Sequence, residues 1–237
     1  MKILITGTSG FIGSHMVKRL MKAQHTIHSL ENDLTDHAAV TAEVIRISPD
    51  VVVHLAARTE VEKSFYEQTT FSDVNYTGTV NLIEAANRVP NLQNFVFAST
   101  MEVYGWQPIQ SALKYRKEVL STEQLPAFDE LTLPNPNAPY AVAKYACEKY
   151  LEYMGRCFDF PYTILRQTNS YGRKDNNFFV VEQMIYQMLT QEEVYFGYGT
   201  PYRNFLYIDD LIDVWEKVIE NPNLCRGQLF CLGPANA

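Results

Sequence analysis

The amino-acid sequence predicts a doubly wound α/β fold, in which helices cover both faces of a parallel β-sheet. Three observations lead to this prediction. Short apolar runs alternate along the chain with stretches of helical period. The runs are continuous, as in residues 51–55 and 95–98, which is typical of strands buried on both faces. The strand–helix order also repeats, and this repetition builds a parallel sheet.

The predicted elements follow one another in a regular order. Strands are predicted over residues 2–5, 25–30, 51–55, 94–98 and 162–166. Helices are predicted over residues 13–23, 36–47, 71–88 and 139–157. Pro139 supports the start of the last helix, because proline fits the first helical turn.

Composition and charge narrow the class of protein. The 237 residues correspond to one large domain, or to one domain plus a fragment of another. The 20 basic and 27 acidic residues leave a net charge of −7, which disfavours nucleic acid and anionic membranes as partners. The four cysteines have no metal-ligand spacing, so we predict no metal site and expect reduced thiols in the cytoplasm. No apolar run has the length of a membrane helix.

A glycine-rich loop follows the first predicted strand. Residues 7–13 are Gly-Thr-Ser-Gly-Phe-Ile-Gly, and they open the first predicted helix. Glycines at this junction permit a tight turn and a close approach of the backbone to a pyrophosphate, which the helix N-terminus stabilises. The loop therefore predicts a Rossmann-type dinucleotide site. The residues expected to contact the cofactor there are Gly7, Ser9, Gly10, Phe11, Ile12 and Gly13.

A carboxylate after the second strand is expected to meet the adenosine ribose. Glu31 follows this strand, and its charge would accept hydrogen bonds from both ribose hydroxyls and repel a 2′-phosphate. NAD is therefore predicted rather than NADP. Asp33, next to Leu34, is the competing candidate and is better placed to meet the adenine ring. The alternative for either carboxylate is an ordinary exposed side chain of a loop.

Tyr140 and Lys144 form the predicted reactive pair. They lie four residues apart on the last predicted helix, so they share one face. A lysine ammonium near a phenol lowers the pKa of the phenol, which makes tyrosine usable as a general base. Tyr145 and Lys149 repeat the spacing, but five residues turn a helix by about 140°, so both pairs cannot face one ligand.

Two hydroxyl residues, Ser99 and Thr100, end the fourth predicted strand. The carboxyl edge of the sheet is where ligands bind in such folds. Their hydroxyls are candidates to bind a sugar hydroxyl or a carbonyl beside Tyr140. The alternative is that they only cap the strand end.

Seven motifs in one order resemble a known family. They are the glycine loop, His54-Leu-Ala-Ala57, Asn75-Tyr-Thr-Gly78-Thr, Ser99-Thr-Met-Glu-Val-Tyr-Gly105, Tyr140 with Lys144, Arg166-Gln-Thr-Asn-Ser-Tyr-Gly172 and Arg203-Asn-Phe-Leu-Tyr-Ile-Asp-Asp210. From residue 2 to residue 233 the chain resembles the extended short-chain dehydrogenase/reductase family. More narrowly, it resembles the NAD-dependent nucleotide-sugar epimerases and dehydratases of that family.

The resemblance implies that a sugar is oxidised transiently. Tyr140 would take a proton from a sugar hydroxyl while hydride passes to NAD, and Lys144 would also bind the nicotinamide ribose. Ser99 or Thr100 would bind the reacting oxygen. Further residues expected to line or support the cofactor site are Leu55, Ala56, Ala57 and Asn75. Those expected to contact the nucleotide-sugar substrate are Thr100, Met101, Asn169 and Arg203, the last two at its phosphates.

The same resemblance implies a division of the chain. An NAD-binding Rossmann domain would cover residues 1–170, and a partial substrate-binding lobe would cover residues 171–237, with some sheet elements returning to the first domain. Relatives usually continue beyond this length, so we expect a small, incomplete C-terminal lobe. A homodimer is expected to pack through the helices near 71–88 and 139–157. The side chains expected at its interface are Phe71, Tyr76, Tyr145, Cys147 and Tyr153.

Glu102 and Met101 bear on the type of reaction. Sugar 4,6-dehydratases of the family usually carry Asp-Glu or Ser-Glu at these two positions, and the glutamate takes the proton next to the new ketone. Glu102 is present here, whereas Met101 cannot transfer a proton usefully. We therefore expect an epimerase or dehydratase that acts through a transient 4-keto sugar, with Glu102 as the carbon-acid base. Dehydration, C5 epimerisation and decarboxylation all remain open.

Two alternatives to this function are kept. The short link at residues 31–36 resembles dTDP-4-dehydrorhamnose reductases, which reduce a ketosugar with NAD(P)H. Other members of the superfamily bind NAD as redox sensors or scaffold subunits, although these commonly lack one of the reactive side chains. Residues 106–138 are rich in proline, and a short polar helix is predicted at 111–122. This segment is expected to cap the sugar pocket or a partner subunit, or to be a surface insertion.

Overall fold

The computed structural model describes residues 1–105, 127–173, 179–195 and 203–234. Its strands are β1 (Lys2–Thr6), β2 (Thr26–Ser29), β3 (Val51–His54), β4 (Asn94–Thr100), β5 (Tyr162–Gln167), β6 (Asn169–Tyr171), β7 (Phe205–Tyr207) and β8 (Gln228–Leu232). Its helices are α1 (Phe11–Lys22), α2 (His37–Ile47), α3 (Val61–Ser64), α4 (Gln68–Ser72), α5 (Gly78–Ala86), α6 (Pro139–Phe158), α7 (Val180–Thr190), α8 (Ile208–Glu220) and α9 (Pro222–Cys225). A π-helical turn, Asp73–Thr77, joins α4 to α5, and a 3₁₀ turn, Met101–Tyr104, follows β4.

The main sheet is parallel and has the strand order β2-β1-β3-β4-β5-β8. The chain leaves β1 towards β2 on one side and then crosses to β3 on the other. The order therefore reverses between β1 and β3, and such a reversal opens a crevice at the carboxyl ends of the two strands. Thr6 pairs with His54 at these ends. The doubly wound fold and the five predicted strands are confirmed.

Two hydrophobic layers cover the faces of this sheet. On one face, Phe95, Phe97 and Ile164 pack against α2, α5 and α6. On the other face, Val96 and Leu165 pack against α1 and α8. β3 and β4 are buried along their whole length, which explains why their sequences are continuous apolar runs rather than alternating ones.

The C-terminal part of the described chain divides between two sheets. β6 and β7 form a small parallel sheet of their own, in which Asn169 pairs with Phe205. α8 then packs against α1, and β8 adds to the main sheet beside β5. Residues 208–232 thus pack against the main sheet and α1, while the division of the chain into two domains at residue 170 stays a prediction. In the ranges that the structure describes, no helix has both the length and the apolar character needed to cross a bilayer.

Three expectations from the sequence need correction or fall outside the structure. The helix predicted over residues 71–88 is not continuous, because the π-helical turn divides it. Phe71 and Cys147 are completely buried in the interior, so they cannot form the subunit interface expected of them. The helix predicted at 111–122 lies outside the described residues, as does most of the segment 106–138.

Candidate active site

The glycine loop makes a tight turn between β1 and α1. Gly7 has a φ of 74°, a left-handed conformation that favours glycine, and its carbonyl accepts a hydrogen bond from the Gly10 amide at 3.0 Å. A Cβ atom on Gly13 would lie 2.1 Å from the Gly7 oxygen, so no side chain fits there. In the first turn of α1, which lies within the described residues, no acidic side chain would repel a phosphate. The cradle therefore fits the pyrophosphate of a dinucleotide.

The other loop residues predicted to meet the cofactor lie around this turn. Ser9 is exposed, and Ile12 packs against the core from the first turn of α1. The Phe11 ring lies under the Arg173 guanidinium, 4.1 Å from it. The Thr8 hydroxyl is 2.8 Å from the hydroxyl of Ser29 at the end of β2.

The end of β3 is attached directly to this loop. The Thr6 hydroxyl oxygen accepts hydrogen bonds from the Leu55 amide at 3.2 Å and the Ala56 amide at 3.0 Å. A Cβ atom on Gly7 would lie 2.9 Å from the Ala56 nitrogen. Leu55, Ala56 and Ala57 are all half-buried and follow β3 directly, and their contact with the cofactor stays a prediction.

His54 is a site residue whose role the sequence did not predict. Its ring is completely buried, with Nδ1 2.7 Å from the Thr6 hydroxyl and Nε2 2.8 Å from the Thr79 hydroxyl. Thr6 already accepts two amide protons, so its own proton goes to Nδ1, and Nε2 donates to Thr79. Burial, assisted by the charge of Lys144, holds the pKa of His54 well below its usual value. The neutral ring therefore fixes β1, β3 and α5 together.

Asn75 supports the site through its backbone partners. Its side-chain amide donates to the Arg58 carbonyl at 2.9 Å and accepts from the Arg58 amide at 2.8 Å. Its carbonyl accepts hydrogen bonds from the Thr79 hydroxyl at 2.6 Å and from the Cys147 thiol at 3.1 Å. The π-helical turn, which contains Asn75, exposes this carbonyl to two side chains at once.

The carboxylates expected near the ribose lie in the link between β2 and α2. Glu31 is exposed. The Asp33 carboxylate accepts hydrogen bonds from the Thr35 amide at 2.8 Å and hydroxyl at 2.7 Å, which lower the pKa of Asp33. Leu34 is buried, and its carbonyl accepts a hydrogen bond from Asn81 at 2.9 Å. One oxygen of Asp33 thus stabilises its own turn, whereas the exposed Glu31 carboxylate is available to a ligand.

Tyr140 and Lys144 are both buried on the face of α6 that packs against β4. The Lys144 ammonium donates to the Ala98 carbonyl at 2.9 Å and lies 4.7 Å from the centre of the Phe97 ring. Burial lowers the pKa of Lys144 to about 8. By contrast, Lys149 pairs with Glu152 on the exposed side of α6. The structure thus separates the Tyr140 pair from its sequence repeat.

The expected effect of Lys144 on the phenol of Tyr140 is not found. Burial raises the pKa of Tyr140 to about 12, although a hydrogen bond with Thr100 opposes the shift. The negative charge of Glu102 raises it further. The prediction of a lowered pKa was wrong for the protein alone, because desolvation penalises the phenolate more than its surroundings stabilise it.

The two hydroxyls at the end of β4 have different partners. Thr100 hydrogen-bonds Tyr140, whereas the Ser99 hydroxyl donates to the Glu148 carboxylate. Glu148 is fully buried and holds the Arg166 guanidinium through contacts of 2.7 and 3.0 Å. Arg166 also donates to the Tyr104 hydroxyl at 2.7 Å. Ser99 therefore belongs to a buried network below the site, which the sequence did not reveal.

Glu102 and Arg203 meet although they are far apart in the sequence. Glu102 lies in the 3₁₀ turn after β4, where its amide donates to the Thr100 hydroxyl at 3.2 Å. Arg203 Nη1 lies 3.9 Å from Glu102 Oε1, and the side chains are 53% and 31% exposed. Met101 is half-buried beside Glu102, and Asn169 is exposed at the start of β6. A carboxylate, a guanidinium and a hydroxyl thus lie close together after the end of β4.

Fold and site together define a dinucleotide-binding α/β protein with a tyrosine–lysine pair at the carboxyl edge of its sheet. A family model described as "NAD dependent epimerase/dehydratase family" matches residues 3–233. The chain belongs to this NAD-dependent epimerase/dehydratase family, and the predicted cofactor, NAD, is confirmed at that level. No three His, Cys, Asp or Glu side chains of the described part cluster as metal ligands would.

Individual relatives include both dehydratases and epimerases. The chain is 27% identical to a dTDP-D-glucose 4,6-dehydratase of Dictyostelium discoideum, over 98% of this chain and 58% of that protein. It is 29% identical to a dTDP-glucose 4,6-dehydratase of Salmonella typhimurium, over 100% of this chain and 73% of that protein. Its fold is similar to a UDP-glucose 4-epimerase of Thermotoga maritima solved with UDP-glucose (TM-score 0.83, 28% identity, 98% of this chain and 77% of that one). The chain spans less than two thirds of the Dictyostelium protein.

Proposed function

We propose that the protein is an NAD-dependent nucleotide-sugar epimerase or dehydratase that acts through a transient 4-keto sugar. The observation that carries the proposal is the cluster of Tyr140, Thr100 and Glu102 at the end of β4. It combines an oxygen base, a hydroxyl that orients it and a second base, with Thr100 in contact with both of the others. Family membership and the glycine cradle support NAD as the partner of this cluster.

Tyr140 takes the proton of the sugar hydroxyl in this proposal. Thr100, bonded to Tyr140, orients the reacting oxygen. NAD supplies the hydride acceptor and, in its oxidised form, a positive charge. Because burial raises the pKa of Tyr140, the phenolate needs nearby positive charge, which the bound oxidised cofactor would supply. Lys144 is the proposed ligand of the nicotinamide ribose.

Glu102 is the proposed base for the carbon next to the ketone. Met101 cannot share this task, so Glu102 both removes and returns the proton, or a water molecule returns it. Arg203 Nη1 lies 3.9 Å from this carboxylate, and its side chain is 53% exposed, so we propose that the guanidinium also binds a phosphate of the substrate. Asn169 is the proposed second phosphate ligand.

Deuterium incorporation tests the role of Glu102. The full chain is incubated in deuterated water with UDP-, dTDP-, GDP- and CDP-glucose, and the products are analysed by mass spectrometry. The proposal predicts incorporation of solvent deuterium by the wild type and its loss in Glu102→Gln, with NAD still bound. Glu152→Gln, on the exposed side of α6, is the matched control and should behave as the wild type. Unchanged incorporation in Glu102→Gln would contradict the proposal.

A reductase is the second candidate, and one observation favours it. β2 ends at Ser29 and α2 begins at His37, so no strand lies in the link between them. This brevity resembles the dTDP-4-dehydrorhamnose reductases. Protein that retains NAD through purification and returns the hydride favours the epimerase or dehydratase. Net consumption of NADH or NADPH with a 4-keto sugar favours the reductase.

A homodimer in the cytoplasm completes the proposal. α6 carries a surface cluster in which the Tyr153 ring lies 5.7 Å from Tyr150 and 5.8 Å from Phe158. Tyr153 and Phe158 are 41% and 53% exposed, so this face has apolar area to bury against a second copy. Light scattering should give twice the chain mass for the wild type and a monomer for Tyr153→Glu. All four cysteines are unpaired thiols, which agrees with a reducing compartment.

A further inference from the structure

A buried carboxylate lies directly below the link that carries Glu31. Glu43, on α2, is only 4% exposed. Its two oxygens accept hydrogen bonds from the Glu31 amide, each at 3.2 Å. One of them also accepts from the Asn32 amide at 3.1 Å and the Asn32 side chain at 2.8 Å. The first two residues of the link are thus bound to one carboxylate.

Such a buried charge is costly unless hydrogen bonds compensate for the lost water. The nearest cation, Arg46 Nη2, is 3.7 Å away, but Arg46 is 70% exposed, so solvent weakens its attraction. Three N–H groups of the link therefore provide the main stabilisation. The Glu43 carboxylate therefore lies against the backbone of Glu31, and the exposed Arg46 offsets its charge only in part.

The remaining residues of the link have other anchors. Asp33 accepts a hydrogen bond from the Thr35 amide. Asp36 caps α2 by accepting a hydrogen bond from the Ala39 amide at 3.0 Å. The Leu34 carbonyl is bound by Asn81. Glu43 is thus the contact that fixes Glu31 itself, and with it the direction in which the exposed Glu31 side chain leaves the backbone.

We propose that Glu43 is a positioning and specificity-determining residue that selects NAD over NADP. It fixes Glu31 for the ribose hydroxyls and adds a second negative charge against a 2′-phosphate. This inference depends on the proposed place of Glu31 beside the adenosine ribose. The neighbouring hydroxyls of Thr8 and Ser29 are neutral, so they do not offset the two carboxylates.

The test measures binding rather than turnover. The full chain is stripped of nucleotide, and its dissociation constants for NAD and NADP are measured by calorimetry. Glu43→Gln keeps the shape of the side chain but removes its charge and one acceptor. We expect NAD to bind about tenfold more weakly and the ratio of the NADP to the NAD constant to fall about tenfold, since one charge-assisted hydrogen bond is worth about that factor. An unchanged ratio would overturn the proposal.

Companion variants keep the outcome interpretable. Glu43→Asp keeps the charge, but its shorter side chain reaches the two amides less well. The affinity for NAD should therefore fall, while most of the discrimination against NADP remains. In Arg46→Ala the ratio of the NADP to the NAD dissociation constant should not fall. A lower ratio in this variant would contradict the proposal. Glu31→Gln tests the ribose site separately. A ratio that changes in Glu31→Gln but not in Glu43→Gln refutes the role of Glu43 alone, whereas no change in either refutes the ribose site too.

Discussion

The Ser99 hydroxyl donates a hydrogen bond to the buried Glu148 carboxylate, while the adjacent Thr100 hydroxyl bonds Tyr140. Both partners lie on α6, Tyr140 in its first turn and Glu148 in its third, so the two adjacent hydroxyls contact different turns of one helix. Ser99 shares its face with Phe97, which packs against α6. Thr100, and not Ser99, therefore lies beside Tyr140, where we propose that it orients an oxygen of the substrate.

Thr100→Val is expected to lower kcat, whereas Ser99→Ala is expected to lower the free energy of unfolding. Thr100→Val removes the hydroxyl beside Tyr140 and should lower kcat about a hundredfold, as the loss of an orienting donor in a closed site does. Ser99→Ala leaves Glu148 with one partner fewer and should lower the free energy of unfolding by about 1–3 kcal/mol. Turnover assays and urea denaturation of both variants check this. A large loss of kcat in Ser99→Ala and a loss of stability alone in Thr100→Val would contradict these two roles.

The ion pair of Glu148 and Arg166 is expected to matter for stability. Both side chains are almost completely buried, so removing one partner leaves an uncompensated charge inside the protein. Glu148→Ala should cost about 3–5 kcal/mol of unfolding free energy. Glu152→Ala, one turn further on α6 and with 27% of its side chain exposed, should cost less than about 1 kcal/mol. Equal losses, measured by urea denaturation, would argue against the buried network.

Gly13→Ala is expected to abolish NAD binding. The added Cβ atom would lie 2.1 Å from the Gly7 oxygen, so the turn that holds the pyrophosphate has to move. Gly233→Ala is the control, because its Cβ atom would meet no atom within 4 Å. Calorimetric titration with NAD should show no binding for the first variant and wild-type affinity for the second. Normal affinity of Gly13→Ala would disprove the cradle.

The free energy of unfolding should rise with pH between about 8 and 10.5 because of Lys144. Burial lowers its pKa to about 8 from an ordinary value of 10.5, so between these values the unfolded chain binds more protons at this side chain. Raising the pH from 8 to 10 should therefore stabilise the wild type relative to Lys144→Met by on the order of 2 kcal/mol. Above pH 10 the raised pKa of Tyr140 acts in the opposite sense.

Denaturation in urea at pH 8 and pH 10 measures this difference. Lys149→Met, an exposed lysine of the same helix, is the matched control and should follow the wild type in its pH dependence. Parallel profiles for wild type and Lys144→Met would show that Lys144 is not desolvated as described.

Local pattern predicted the elements, but it did not predict contacts between distant parts of the chain. The glycine loop and the spacing of Tyr140 and Lys144 are local signals, so both were found from the sequence. Glu148 looked like any polar helix residue, and only the register of β4, β5 and α6 brings it to Ser99 and Arg166. The same holds for Glu43, whose role depends on how α2 lies below the link.

Two errors have the same physical origin. Phe71 and Cys147 were expected on a surface because each lies on a helix with aromatic neighbours, yet both helices bury these positions. The pKa of Tyr140 was expected to fall because a lysine lies four residues away, but burial outweighs that effect. Burial is a property of the packed structure and cannot be read from spacing.

The most direct measurement of the proposed chemistry follows the nicotinamide itself. The holoprotein is mixed with UDP-glucose or dTDP-glucose, and the near-ultraviolet absorbance of reduced nicotinamide is recorded during a single turnover. If Tyr140 is the base, the wild type and Tyr145→Phe should show a transient rise and Tyr140→Phe a rise at least about a hundredfold slower. A rise of normal rate in Tyr140→Phe, or none in the wild type with any nucleotide sugar, would contradict a transient oxidation through Tyr140.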